Sequence, residues 1–279
     1  METAFAYTRR ILKKYELRAK KSLGQNFLTD DGIIAAIVEG SGLSPEQAVL
    51  EIGPGTGALT RALAKAAGRV WAVELDAALC DVLREEYKQF NHVEIIHGDA
   101  LEFDAGTLES ADGVQLIANL PYYITSPLIR RFLEQRRYFQ SMTFMVQQEV
   151  AERITAAPGK KDFGILSVAV QVFCQARLLF TVPASAFMPQ PKVDSAVVRL
   201  DILPQPLIKP EQEEVFFRTV KGAFGQRRKT LVNSLCQAVN LSKQDVANAV
   251  ESLGIPPQAR AETLSVSDFI RLAQALSAL

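Results

Sequence analysis

The chain has 279 residues, 48% of them hydrophobic, which is enough to bury one full-sized core and a smaller second one. Its 31 basic and 31 acidic side chains cancel, which excludes a nucleic-acid partner held by a global positive field and leaves that work to local patches. Three scattered cysteines (Cys80, Cys174, Cys236) with no CxxC pair, and two histidines, His92 and His97, exclude a disulfide framework and a zinc site, so no metal is expected. The opening residues carry charges where a secretory leader needs an unbroken apolar core, and no stretch reaches the ~18 apolar residues of a membrane span. A soluble cytoplasmic protein without a membrane partner is expected.

Residues 1–25 form a basic segment: Arg9, Arg10, Lys13, Lys14, Arg18, Lys20 and Lys21 against Glu2 and Glu16, a local net charge of +5. Such a strip suits phosphates, although a solvated helix face reads the same way. From Val49 onward, short apolar runs alternate with helical periods. Val49 to Ile52, Val70 to Val73, Val93 to Ile96, Val114 to Ala118 and Met142 to Val146 read as strands, and Ala58 to Ala67 and Ala77 to Phe90 as crossover helices. That alternation predicts a parallel sheet. Two more runs, Leu166 to Phe173 and Ala196 to Leu200, read as strands that pair as an antiparallel edge.

Pro204, Pro206 and Pro210 crowd one short stretch, where missing N–H donors suit neither a helix interior nor a central strand, so a domain boundary is expected there. Beyond it Glu211 to Phe224 and Arg227 to Val239 read as helices. Ser242 with Asp245, and Ser265 with Asp268, read as helix starts of the capping-box kind. The organisation expected is a basic segment at 1–25, an α/β domain at 26–203 and a small all-α domain at 204–279.

The segment Glu51-Ile52-Gly53-Pro54-Gly55-Thr56-Gly57 lies between a predicted strand and a predicted helix, where glycines make a tight turn and let a ligand approach the backbone. A structural turn, a dinucleotide site and an S-adenosylmethionine site all remain open, and the GxGxG spacing departs from the dinucleotide GxGxxG. Glu74 ends the second strand, suited to accept from two ribose hydroxyls, and Asp99 follows the third, suited to accept from an adenine amino group. Each has a bland reading as a solvated strand-end carboxylate. Three such groups at three successive strand ends make a nucleoside cofactor the better account.

After the fourth strand comes Asn119-Leu120-Pro121-Tyr122. An exocyclic amine is a poor nucleophile because its lone pair is delocalised into the ring. A site that methylates it must accept hydrogen bonds from both N–H groups, and the Asn119 side-chain carbonyl and the Leu120 backbone carbonyl supply such acceptors. Pro121 stiffens the turn, and the Tyr122 ring offers a stacking face for a base taken out of its helix, worth ~1 to 3 kcal/mol.

In this order the elements resemble the KsgA-type small-subunit ribosomal RNA adenine dimethyltransferases. The resemblance covers nearly the whole chain: Lys21-Ser22-Leu23-Gly24-Gln25-Asn26-Phe27-Leu28, the glycine loop, Glu74, Gly98-Asp99-Ala100, Asn119-Leu120-Pro121-Tyr122-Tyr123-Ile124, residues 158–164 and Phe187-Met188-Pro189-Gln190-Pro191-Lys192. It implies a Rossmann-like methyltransferase fold, a mostly parallel seven-stranded sheet with an antiparallel edge, followed by an all-α domain. It also implies that Asn26, Leu28 and Gly55 help hold S-adenosylmethionine, with Gly53 against its methionine part, Glu74 on the ribose and Asp99 near the adenine. Asn119 would border both cofactor and target amine, and Phe187 would face Tyr122 across a flipped adenine.

The activity implied is dimethylation of two adjacent adenosines near the 3′ end of small-subunit RNA within an immature subunit, by a monomer, with S-adenosylhomocysteine as product. The alternatives are a large-subunit RNA methyltransferase of the macrolide-resistance type, which shares the Gln-Asn-Phe and Asn-Leu-Pro-Tyr elements, and a non-catalytic ribosome assembly factor. A nicotinamide oxidoreductase leaves the tetrapeptide unexplained. Arg227, Arg228 and Lys229, and Arg130, Arg131, Arg136 and Arg137, are further candidates for RNA contact.

Overall fold

The computed structural model describes residues 2–108, 110, 113–226, 229–238, 241–256 and 258–279. The chain packs as two compact units, residues 1–151 with 177–202, and 152–176 with 203–279.

The first unit opens with α1 (Ala4–Lys14), a two-residue strand β1 (Phe27–Leu28) and α2 (Asp31–Ser41). There follow β2 (Ala48–Ile52), α3 (Ala58–Ala66), β3 (Arg69–Glu74), α4 (Ala77–Tyr87), β4 (Val93–His97), β5 (Val114–Asn119), α5 (Thr125–Glu134) and β6 (Phe139–Gln147). After α6 (Gln148–Thr155) and α7 (Ile165–Gln171) come β7 (Cys174–Val182), β8 (Phe187–Met188) and β9 (Ser195–Ile202). The helix starts are chemical. Thr3, Asp30 and Asp76 each accept from a backbone N–H of the first turn of α1, α2 and α4, offsetting donors that a helix leaves orphaned.

The seven long strands form one sheet in the order β4-β3-β2-β5-β6-β9-β7. The first five run parallel, and β9 lies antiparallel to β6 from Ser141↔Asp201 to Gln147↔Ser195. The strand order reverses between β2 and β5, so their carboxyl ends open a crevice of the kind that binds ligands in α/β sheets. All of β2 is buried. Separately, β1 and β8 make a two-stranded antiparallel ribbon, Phe27↔Met188 and Leu28↔Phe187.

The N-terminal segment is not a free basic arm. Ala4, Tyr7 and Ile11 of α1 are buried in the same hydrophobic cluster as Leu59, Leu63 and Val49, so the helix is part of the sheet domain's core.

Residues 166–173 are not a strand. Ile165–Gln171 form α7, which buries Ser167, Val168 and Val170, and the edge strand is β7, further along at Cys174–Val182. A short run of buried β-branched residues reads the same as helix or strand, whereas β7 alternates polar and apolar residues too irregularly to announce itself. This stretch belongs to the second unit, although the sequence reading assigned it to the α/β domain. Phe163 packs on Phe224 and Phe173 on Phe217, with ring centroids 6.3 and 6.0 Å apart, and the Gly159 N–H donates to the Glu262 carbonyl at 2.7 Å.

The rest of the second unit is helical: α8 (Pro210–Phe224), α9 (Leu231–Leu235), α10 (Lys243–Ser252) and α11 (Val266–Ser277). Pro210 sits at the start of α8, where its missing N–H costs nothing. Ser265 and Asp268 make a reciprocal capping box at α11, and Ser242 caps α10. The expected helix at 227–239 is shorter, Leu231–Leu235, and Arg227 and Arg228 lie outside the described residues. Phe269 is fully buried against Phe224, so Phe269→Ala is expected to cost the second unit about 3–5 kcal/mol, read by denaturant unfolding of the variant.

Candidate functional site

Four sequence-predicted groups arrive at one edge because parallel strands end together. Gly53 follows β2 directly, Glu74 is the last residue of β3, Asp99 lies two residues past β4, and Asn119 is the last residue of β5. All four line one cleft of about 1030 Å³, counted to its open mouth, together with Asn26, Leu28, Gly55, Leu120, Tyr122 and Tyr123.

The glycine loop is shaped by its neighbours. Gly55 has φ +59°, and a Cβ there would stand 2.9 Å from the Phe27 ring; Gly57, at the start of α3 with φ +89°, would meet Leu83 at 2.8 Å. No L side chain fits either place. Behind the loop, the buried hydroxyls of Thr8 in α1 and Thr56 are 3.1 Å apart, and Tyr87 donates to the Gly57 carbonyl at 2.9 Å.

Glu74 is buried and tied to the loop: the Gly55 N–H donates to its Oε2 at 3.0 Å and the Asp76 N–H to its Oε1 at 2.9 Å. Each oxygen keeps an acceptor site. Burial pushes this carboxyl above its ordinary range, against the pull of those backbone donors. Asp76 next door is held below its range: burial raises it, but hydrogen bonds from Lys20 (2.8 Å) and Gln25 (3.2 Å) prevail. This pair of contacts fastens residues 20–25 over one side of the cleft. Asp99 accepts from the Leu101 N–H at 2.8 Å through one oxygen.

The Asn119 amide is oriented. Its Nδ2 donates to the Asn26 carbonyl at 3.3 Å, which leaves Oδ1 as the acceptor, and Asn26 is itself pinned by donating to the Gly24 carbonyl at 3.0 Å. The Leu120 side chain is buried and its N–H donates to Met145, so only its carbonyl is available for chemistry. Pro121 closes the turn, and the Tyr122 hydroxyl lies 2.7 Å from Ser195 Oγ at the start of β9, which fixes its ring at the cleft wall. Tyr123, 55% exposed, stands at the mouth and packs near Gly24.

Phe187 is placed differently from expectation. It is 4% exposed and packed in the hydrophobic cluster with Leu28 and Ile34, and it does not line the cleft. It pairs with Leu28 in the β1–β8 ribbon, and in this conformation its ring is packed among apolar side chains.

Sequence reasoning assigned no role to Glu51. It stands in β2 just before the glycine loop, fully buried and lining the cleft; its Oε2 has no hydrogen-bond partner of good geometry, and the adjacent Thr60 hydroxyl is the group that eases its charge. Burial, with a further push from the Glu74 charge, raises its carboxyl to about 8. A carboxylic acid inside an otherwise apolar strand, Val49-Leu50-Glu51-Ile52, was the available signal, since burying one without a partner is costly. A buried carboxyl with one unpartnered oxygen, a Cβ-free cradle and two strand-end carboxylates fit a nucleoside cofactor such as S-adenosylmethionine.

Comparison with known proteins agrees with this geometry. The chain is 50% identical over 276 residues to the ribosomal RNA small subunit methyltransferase A of Desulfitobacterium hafniense, covering 99% of this chain and 98% of that one. It is 44% identical over 270 residues to the protein of the same name from Clostridium botulinum, covering 96% and 98%. Among solved structures, a dimethyladenosine transferase from Plasmodium falciparum superposes with a TM-score of 0.75 at 27% identity, over 88% of this chain and 95% of that one. The 23S rRNA methyltransferase ErmE superposes at 0.71 and 29% identity, over 90% and 100%. The model of the family described as ribosomal RNA adenine dimethylase matches residues 16–278, and the chain belongs to that family.

Proposed function

We propose that this protein dimethylates the N6 amino groups of two adjacent adenosines in the 3′-terminal hairpin of small-subunit ribosomal RNA, using S-adenosylmethionine. The observation that supports the reading is the Asn119 amide, whose nitrogen is engaged by the Asn26 carbonyl so that its oxygen is left as an acceptor, in a residue that lines the same cleft as Glu74 and Asp99. Relatives at 44–50% identity over nearly full length bear the small-subunit name, which favours that substrate over the large-subunit RNA that ErmE's name specifies.

The cofactor supplies an electrophilic methyl group on a sulfonium. Asn26, Leu28, Gly53 and Gly55 would line its methionine end, Glu74 would accept from the ribose and Asp99 from the adenine amine. Asn119 Oδ1 and the Leu120 carbonyl accept from the two N–H groups of the target. That draws its lone pair out of ring conjugation and points it at the methyl group, an arrangement whose benefit lies in being built before reaction. Tyr122 gives the extruded base one stacking face. No side chain needs to act as base, because the methylated ammonium loses its proton to water. The protein would act as a cytoplasmic monomer on an immature subunit. Among the described residues no helix is long and apolar enough to cross a membrane.

Incubating unmethylated small subunits with the protein and S-adenosylmethionine, then analysing the 3′-terminal hairpin by mass spectrometry, is expected to show two dimethyladenosines. Methylation confined to large-subunit RNA would overturn the substrate, and absence of transfer to any RNA would leave a cofactor-fold assembly factor.

A further inference from the structure

Helix α1 has two faces with different employment. Its buried face, Ala4, Tyr7, Thr8 and Ile11, packs into the core and touches the glycine loop through Thr8. Its outer face places Phe5, Arg9 and Lys13 in a row at i, i+4 and i+8, the spacing that aligns side chains along one helix side. With Leu17 and Met188 these residues line an open groove, and no Asp or Glu is among the residues lining it.

The cations of this helix are not equivalent. Arg10 is paired with Glu2 at 3.1 Å and Glu86 at 3.3 Å, and Lys14 with Glu86 at 2.8 Å. Further along, Lys20 is taken up by Asp76. Arg9 and Lys13 have no carboxylate at ion-pair distance among the described residues. Arg9 instead lies over the ring of Phe5, 5.6 Å from its centroid, and that ring is 47% exposed. An exposed aromatic beside uncommitted cations is the composition that binds nucleic-acid strands, the cations taking phosphates and the ring a base or sugar.

The groove also adjoins the site. Met188, at its edge, pairs with Phe27 in the β1–β8 ribbon, and Phe27 walls the cofactor cleft. A strand whose base enters the cleft would therefore have its backbone within reach of α1.

We propose that the outer face of α1, with Arg9 and Lys13 on phosphates and Phe5 against a nucleotide, binds the RNA strand beside the adenosine that enters the cleft. The proposal rests on the RNA methyltransferase reading above. It predicts that two lysines one position apart behave differently, Lys13 facing RNA and Lys14 being neutralised by Glu86.

The test is binding of the full-length protein, with S-adenosylhomocysteine present, to the unmethylated 3′-terminal hairpin RNA and to unmethylated subunits over a range of salt. Arg9→Ala with Lys13→Ala is expected to weaken hairpin binding by about tenfold at low salt and to reduce the slope of log affinity against log salt by roughly 1–2. Phe5→Ala is expected to weaken binding with the slope unchanged, and Lys14→Ala to alter neither by more than about twofold. Calorimetric binding of S-adenosylhomocysteine should be the same in all variants, which shows that the fold and the cleft are intact. Equal losses for Lys13→Ala and Lys14→Ala, or no loss in the double variant when the wild type binds, would overturn the surface. Loss on subunits but not on the protein-free hairpin would assign the groove to a ribosomal protein and overturn the RNA assignment. A wild type that binds S-adenosylhomocysteine but no RNA would overturn the RNA reading and this surface with it.

Discussion

Asn119→Ala is expected to lower methyl transfer by roughly 10²–10³-fold in single-turnover assays with labelled S-adenosylmethionine, while changing cofactor affinity far less. The magnitude is that of removing one pre-aimed hydrogen-bonding group from a transition state. The group qualifies because it costs nothing to orient during reaction: Asn26 and Gly24 have already fixed the amide. Truncation removes an acceptor that matters when the target nitrogen becomes pyramidal, so the loss should fall on the chemical step and not on binding. A variant that binds RNA and keeps more than about a tenth of wild-type transfer would refute the assignment. If small-subunit assembly remains delayed by a folded, inactive Asn119 variant, the protein also serves as a checkpoint; normal assembly would count against that.

Glu51→Gln is expected to produce a protein that is more stable without cofactor and poorer at binding it. Burial raises the Glu51 carboxyl from 4.5 to about 8. Between those values the folded state keeps a proton that the unfolded chain has lost, so the wild type loses stability as pH rises through that window and little more above it. Glutamine cannot ionise. The stability gap in favour of the variant should therefore be small near pH 5 and widen up to about pH 8, reaching roughly 3–5 kcal/mol at the alkaline end. Glu74, raised by burial in the same cleft, adds a decline with pH in both proteins, and because its charge also pushes on Glu51 the gap reports the coupled pair. Toward a positively charged ligand the preference reverses, because only glutamate can supply a counter-charge. Thermal melts at several pH values, paired with S-adenosylmethionine titrations and with the uncharged thioether S-adenosylhomocysteine as the control whose affinity should change less, check both halves; a gap that does not change with pH would show that Glu51 is not held protonated.

The site was legible in the sequence to the extent that it lies at strand ends. Once residues 49–119 read as alternating strand and helix, a parallel sheet follows, and parallel strands must end on one edge; the order along the chain then brings Gly53, Glu74, Asp99 and Asn119 together without knowledge of any contact. The antiparallel edge was legible through β9, but its partner was misplaced. The run at 165–171 is equally apolar as helix or strand, and its packing decided the matter.

By itself the sequence determined the α/β class, the glycine loop, the carboxylates at the strand ends and the Asn119 to Tyr122 turn, because each depends on local backbone geometry and on the period of apolar residues. Tertiary structure alone decided what depends on distant neighbours. Phe187 is buried because the β1–β8 ribbon and the apolar cluster beside it bring together residues more than 150 positions apart. Glu51 became a buried acid with one unpartnered oxygen because the residues packed around it exclude water. Which cations of α1 are paired with a carboxylate was decided largely by Glu86, far along the chain. Charge and hydrophobicity are properties of a residue, but burial and pairing are properties of its surroundings, and only the fold supplies those.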